Sequence, residues 1–192
     1  AYLLFRAVQE RRGWRWILRA GALFLAVALG VGAPQLLPSA EIIPLSSRGR
    51  LDYDALGQGF RLAEWWGLLR PNAGQWSPLY VGLLTLVLAA VALGVAMREH
   101  GRGVRGQVAF WLAVGIVSLV LSLGRNGPLY PLFYRAVPGF ALFRQQERIA
   151  ILVSMAFSVL GGLGAAEVGR WLRAAGRGRW GVPLAAAGLL LL

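Results

Sequence analysis

The sequence contains no cysteine, no lysine and a single histidine, His100. Without cysteine the chain has no disulfide bond, no zinc–thiolate site and no thiol nucleophile. His100 has neither a second histidine nor a cysteine with which to form a metal site or a catalytic triad. We therefore interpret it as a solvated loop residue, which leaves arginines and carboxylates as the side chains that can carry chemistry.

Charged residues are also scarce, at 15% of the chain, whereas hydrophobic residues make up 57%. A soluble domain usually has about a quarter of its residues charged. Apolar runs close to the roughly 20 residues that cross a bilayer as a helix recur along the sequence. We predict an all-α, polytopic bundle of transmembrane helices that forms a single membrane domain over residues 1–192. The predicted spans are residues 17–37, 79–97, 108–124 and 149–166, with the start of another at 181–192.

Both ends of the sequence look like internal positions of a longer chain. The sequence opens with Ala1 instead of Met, and the apolar run 181–192 is too short to cross a bilayer. We therefore expect the chain to be an internal piece of a larger protein, with further amino-terminal and carboxyl-terminal parts.

Arginine density alternates with each predicted crossing. The amino-terminal stretch and the segments 98–107 and 167–180 together carry twelve arginines against three acids. The segments 38–78 and 124–148 carry eight arginines against five acids. By the positive-inside rule, the amino-terminal end lies in the cytoplasm and the latter two segments face outside. The net charge of +12 is thus explained by loop orientation, and nucleic-acid binding is not predicted.

Within the first outer segment, GFRLAEWWGLLRP at residues 59–71 has the pattern of an amphipathic helix. A period of about 3.6 residues places Phe60, Ala63 and Trp66 on one side. Such a helix lies in the headgroup plane, at the depth that the indole rings of Trp65 and Trp66 favour. The alternative, which the pattern supports equally, is a short helix packed on neighbouring protein.

Small residues recur every four positions in two predicted spans, as Ser118 and Ser122 and as Ser154, Ser158 and Gly162. Small residues at this spacing allow helix backbones to approach closely in lipid, so we expect helix contacts there. No predicted span has an ionisable residue in its interior. This argues against an ion-coupled transporter, because intramembrane ionisable residues mark transport and catalytic paths.

Glu41, Asp52 and Asp54 are outer-segment acids that are candidates for a base or for cation ligands. Asp52 and Asp54 flank Tyr53, so in an extended conformation both would point to one side. Such a pair can bind a divalent cation, Mg²⁺ or Mn²⁺, together with a substrate phosphate. The alternative, which we favour, is that the acids balance the charge of neighbouring arginines. No other metal or cofactor motif is evident.

The stretch FRQQERI at residues 143–149 crowds five polar side chains against an uncharged apolar run. Arg144 and Arg148 lie four positions apart, so in a helix they would be neighbours on one face. Two guanidinium groups at the outer surface can bind the phosphate of a lipid-linked substrate. The alternative is that they orient the helix end, with Glu147 partly neutralising them.

Three longer stretches carry a family resemblance: GAPQLLPSAEIIPLSSRG at residues 32–49, SPLYVGLLTLVLAAVAL at 77–93, and LGRNGPLYPLFYRAVPGFALFRQQERIAILVSMAFSVLGGLG at 123–164. In their order, and above all in the PLY and PGF..FR...R stretches, they resemble the YfhO-like family of bacterial polytopic membrane proteins. The resemblance spans most of the chain. One departure is QQER at 145–148, where relatives tend to have a proline between the two arginines.

The resemblance implies membership of the GT-C-like group, whose members transfer sugars from polyprenyl-phosphate donors at the outer face of the bacterial cytoplasmic membrane. The catalytic acid of that group usually lies in the first outer loop, which we expect this chain to begin after, so no catalytic residue is transferred. The expected function is part of a glycosyltransferase-like protein acting on a polyprenyl-phosphate-linked sugar. The alternative is a non-catalytic membrane scaffold or accessory subunit with membrane-protein partners.

Overall fold

The structure is a computed structural model that describes residues 2–42, 45, 52–71, 79–98, 102–137, 140 and 143–176. Within these residues all regular structure is helical and no strand is present, which confirms the all-α prediction. The chain divides into two compact units, Ala1–Ala55 and Leu56–Leu192. The predicted start of a span at 181–192 lies outside the described residues.

Among its described residues, the first unit contains α1 at Tyr2–Gln9, α2 at Trp14–Ile42 and most of a third helix of four residues. α2 has 29 residues, so it is about 44 Å long and exceeds the roughly 30 Å of a bilayer core. It includes the predicted span 17–37, and none of its residues, all of which the structure describes, is buried. An apolar helix with this exposure needs lipid or another protein to cover it.

The remaining elements follow in chain order. They are α3, Tyr53–Leu56; α4, Leu83–Arg98; α5, Arg102–Leu121; α6, Leu129–Ala136; and α7, Ala150–Ala174. Short 3-10 helices occupy Leu62–Leu68, Gly124–Asn126 and Gln146–Ile149. α4, α5 and α7 pack on one another and form the body of the second unit.

In this three-helix body, α4 and α7 run parallel and α5 runs antiparallel to both. Thr85 and Leu88 of α4 face Gly161 and Gly164 of α7, in the same order along the two helices. α5 runs the other way, as the position of its last turn shows: Leu119 packs in the same buried cluster as Ala150, the first residue of α7. The beginnings of α4 and α7 and the end of α5 therefore share one end of the body.

The face that α7 turns toward α4 differs from the predicted one. Gly164 lies so close to α4 that a Cβ there would overlap the carbonyl group of Leu88. Among the described residues, no atom lies within 4 Å of the place that a Cβ of Gly162 would take, and Ser158 is exposed. The predicted contact series ending at Gly162 is therefore wrong, because a neighbouring set of small residues faces α4.

Three helices within the described residues are long and apolar enough to cross a membrane: α2, α5, and α7 together with the turn before it. α4 has 16 residues, so it is about 24 Å long and shorter than the span predicted at 79–97. It begins at Leu83 because Gly82, with φ of 86°, adopts a left-handed conformation that ends a right-handed helix.

One carboxylate is buried in the part of α7 that continues past the predicted span 149–166. α7 continues to Ala174 instead of ending near residue 166, which brings Glu167 into the helix. Glu167 is 5% exposed and forms an ion pair with Arg170, one turn further along. Pairing within the helix lowers the cost of burying this charge.

Candidate functional site

Three loop segments meet at the end of the body where α5 ends and α7 begins. They contain the predicted candidates Trp65, Trp66, Arg144 and Arg148. One of them lies in the predicted outer segment 38–78, and the other two lie mostly in the predicted outer segment 124–148. Parts of both predicted outer segments therefore lie together. We name them the loop junction, which consists of residues 56–70, 122–127 and 143–149.

The first five residues of the first segment are bound by the other two segments. Every carbonyl oxygen over residues 56–60 accepts a hydrogen bond. The backbone N–H groups of Arg125 and Gln146 donate to Gly57 and Gln58, each at 2.7 Å. Buried backbone groups require such partners, so these bonds fix the path of the segment.

Two side-chain amides complete this set of hydrogen bonds. Asn126 Nδ2 donates to the carbonyls of Gly59 at 3.2 Å and Phe60 at 3.1 Å. Gln146 Nε2 donates to the carbonyl of Leu56 at 3.3 Å. In return, the N–H of Phe60 donates to the carbonyl of the buried Ser122, at 2.9 Å. The loop junction is therefore built mainly from hydrogen bonds between residues far apart in sequence.

Gly59 and Gly124 allow the two backbones to approach this closely. A Cβ on Gly59 would overlap the backbone of Leu123, and a Cβ on Gly124 would overlap the carbonyl oxygen of Gly57. Gly124 also has φ of 54°, a conformation that glycine adopts at little cost. Substitution at either glycine would therefore separate the segments.

The predicted amphipathic segment forms a 3-10 helix, Leu62–Leu68, instead of an α-helix. A 3-10 helix turns once in about three residues, which changes the residues that share a face. Trp65 packs against the buried cluster that includes Phe60, whereas Trp66 is 70% exposed. The predicted face joining Phe60 to Ala63 and Trp66 is therefore wrong. One face of the helix packs on protein, and the other remains open to its surroundings.

An apolar groove of about 410 Å³ lies between this 3-10 helix and α4. The indole Nε1 of Trp65 is buried and has no hydrogen-bond partner among the described residues. Because this nitrogen is buried, it is not exposed to a ligand in the groove, which offers apolar contact. The groove is lined by Leu62, Trp65, Trp66, Leu68, Leu69 and Leu86.

The loop junction carries a net positive charge, from five arginines against two glutamates. Glu147 and Glu64 lie close enough to repel each other, and Arg148 attracts Glu147. Glu64 also accepts a hydrogen bond from the N–H of Arg61 at 2.6 Å, which holds the start of the 3-10 helix. Because the arginines outnumber the glutamates, the net positive charge favours an anionic ligand.

Arg144 and Arg148 are both exposed, but they do not share a helix face. Gln145 between them has φ of 59°, and the 3-10 helix begins only at Gln146. A left-handed residue cannot continue a right-handed helix, so the helical condition behind their predicted proximity is not met. Of the two, Arg148 is the one that interacts with the acids of the loop junction.

The candidate acids of the first outer segment lie in the first unit. Asp52 Oδ1 accepts a hydrogen bond from the N–H of Ala55 at 2.9 Å, which caps the short helix α3. Residues 53–56 are helical, so the extended conformation in which Asp52 and Asp54 would point to one side is not adopted. Glu41 is exposed near the end of α2. Among the described residues no three His, Cys, Asp or Glu side chains cluster as metal ligands.

Sequence reasoning did not single out Asn126, Gln146 or Glu64. Asn126 and Gln146 bind carbonyl groups far away along the chain, and Glu64 lies near Glu147 of another loop. No local spacing predicts these contacts. The usable signals were the glycine pairs in LGQGF and LGRNG, since paired glycines often mark close backbone contacts. These signals locate a contact but do not identify its partner.

No protein-family model, curated protein or solved structure matches the chain. The resemblance to the YfhO-like family thus stays a prediction. The loop junction and its groove are the features of this chain that bear on its function.

Proposed function

We propose that this chain is part of a bacterial membrane glycosyltransferase-like protein that acts on a polyprenyl-phosphate-linked sugar at the outer face of the cytoplasmic membrane. The observation that carries the proposal is an apolar groove formed by the 3-10 helix of a net-positive loop junction. A polyprenyl phosphate has the two matching properties, a long apolar chain and an anionic headgroup. The three candidate spans support a membrane setting for such a ligand.

Each part of the ligand has a proposed contact. The groove receives the apolar chain nearest the phosphate, which packs against Trp65 and Trp66. Arg148 and Arg144 bind the phosphate, because guanidinium groups form strong charge-assisted hydrogen bonds with it. Trp66 lies at the headgroup level of the bilayer, where indole rings are favoured. The proposal assigns no catalytic base to this chain.

Removal of the two arginines tests this proposal. We expect Arg144→Ala combined with Arg148→Ala, in the full-length protein, to weaken polyprenyl-phosphate-sugar binding by roughly tenfold to a hundredfold, the effect of losing one or two charged hydrogen bonds. The control is Arg135→Ala, which removes an exposed arginine of α6 outside the loop junction. Unchanged affinity in the double variant, or an equal loss in the control, would reject the proposed contacts.

A scaffold or accessory subunit is the second candidate function, and α2 is the observation that favours it. This helix is apolar and 29 residues long, and none of its residues is buried. A neighbouring membrane protein would cover it as well as lipid does. Isolation of a stoichiometric partner, without sugar–lipid binding, would favour this function over the first.

A further inference from the structure

A second groove lies between α4 and α7 and shares no residue with the loop junction. The two helices touch closely at Leu88 and Gly164, and the groove opens beyond that contact, toward their carboxyl-terminal ends. The space beside Gly94 is open, because a Cβ there would meet no atom of the described residues within 4 Å. The groove has a volume of about 340 Å³ and is lined by Val91, Gly94, Val95, Arg98 and Trp171.

The lining changes from apolar to cationic along the groove. Val91 and Val95 are one helical turn apart on α4, and Arg98 is exposed in the last turn of the same helix. Seven residues of helix cover about 10 Å, so the apolar part and the cation lie within reach of one lipid molecule. Trp171, 53% exposed, faces the groove from α7, and indole rings favour the boundary between lipid and water.

Arg98 is the unneutralised cation of this groove. No ion pair joins it to a carboxylate among the described residues. Arg170, which directly precedes Trp171 in α7, is by contrast paired with the buried Glu167. A groove with apolar walls and one free guanidinium group is complementary to an apolar chain that carries a negative charge.

We infer that this groove binds an anionic phospholipid, with an acyl chain along Val91 and Val95 and the headgroup phosphate on Arg98. α7 is a candidate membrane span and α4 is a shorter apolar helix packed on it, so bilayer lipid is the occupant expected beside this groove. The site is independent of the proposed glycosyltransferase-like function, because none of its residues belongs to the loop junction.

A purely structural role for Arg98 makes a different prediction. A cation in the last turn of a helix stabilises the terminal carbonyl groups, and this effect does not depend on the lipid headgroup. Preference for an anionic lipid over a neutral lipid with the same acyl chains therefore distinguishes the binding site from helix stabilisation.

The experiment measures thermal unfolding of the full-length protein in neutral detergent, with added phosphatidylglycerol or phosphatidylcholine of identical acyl chains. A ligand that binds the folded state raises the midpoint by an amount that grows with the logarithm of its concentration relative to its Kd. We expect wild type to bind phosphatidylglycerol about fivefold more tightly than phosphatidylcholine, as one arginine near a charged headgroup provides. We expect Arg98→Ala to lose this preference, and Gly94→Leu to lose the response to both lipids.

Two control variants separate the groove from general effects. Gly162→Leu adds the same side chain to α7 where a Cβ meets no atom within 4 Å, and it should respond as wild type does. Arg105→Ala removes an exposed arginine from the first turn of α5 and should keep the lipid preference. Equal affinity of wild type for both lipids, a preference retained by Arg98→Ala, or an unchanged response of Gly94→Leu would each overturn the inference; the last would show that the lipid binds outside the groove.

Discussion

Gln146 joins segments of the loop junction that are 90 residues apart in sequence. It is 2% exposed, and its side-chain amide donates to the carbonyls of Leu56 at 3.3 Å and Phe143 at 3.0 Å. Its backbone N–H donates to Gln58 at 2.7 Å. A buried polar side chain with this many partners is stabilising as long as each partner is present, and costly once one is removed.

Gln146→Leu tests this role. The substitution keeps a side chain of similar size but leaves two carbonyl groups without a side-chain donor, which costs about 1 to 3 kcal/mol. We expect a lower unfolding midpoint in detergent, measured by tryptophan fluorescence. Gln58→Leu is the matched control, because Gln58 is exposed and contributes through its backbone; its change should stay within about 0.5 kcal/mol. Equal losses in the two variants would contradict the role of the Gln146 amide.

At this scale, the sequence predicted which residues are chemically suited to a site, but not how they meet. Arg144, Arg148, Trp65 and Trp66 do lie in one loop junction. The left-handed conformation of Gln145, which separates the two arginines, has no local signal, because glutamine rarely adopts it. Such a conformation is imposed by the hydrogen bonds around it and so depends on the complete fold.

Among the helices, α7 illustrates which properties of an element a membrane sequence encodes. Its existence follows from an uncharged apolar run of sufficient length. Its packing face does not, because lipid-facing and protein-facing positions are both apolar and leave no amphipathic stripe. The contact face was therefore predicted from residue size alone, which selected Gly162 where the structure uses Gly164.

Substitution of the two glycines tests the observed face. Gly164→Leu would force α7 away from the backbone of Leu88, and overpacking of this kind costs about 1 to 3 kcal/mol. Gly162→Leu places the same side chain in open space and gains about 1 kcal/mol or less of helix propensity. Unfolding midpoints in detergent should fall for the first variant and hold or rise for the second. The reverse order would indicate that the other face of α7 contacts α4.

In the whole molecule, two unlike proposed sites lie at the two ends of one helical body. The loop junction lies where α7 begins, and the groove that ends at Arg98 lies toward the opposite ends of α4 and α7. Hydropathy and arginine distribution predicted a helical membrane protein with alternating loops. They could not predict the division into two compact units, because that depends on contacts between segments distant in sequence.

The most direct test of the account is the side of the membrane on which each end is exposed. The chain has no cysteine, so one introduced cysteine gives an unambiguous label. A membrane-impermeant maleimide applied to intact cells should label Trp66→Cys and Arg144→Cys, whereas Arg98→Cys and Arg173→Cys should react only after the membrane is opened. Labelling of Trp66→Cys and Arg144→Cys from opposite sides, or of Arg98→Cys from the same side as both, would contradict it.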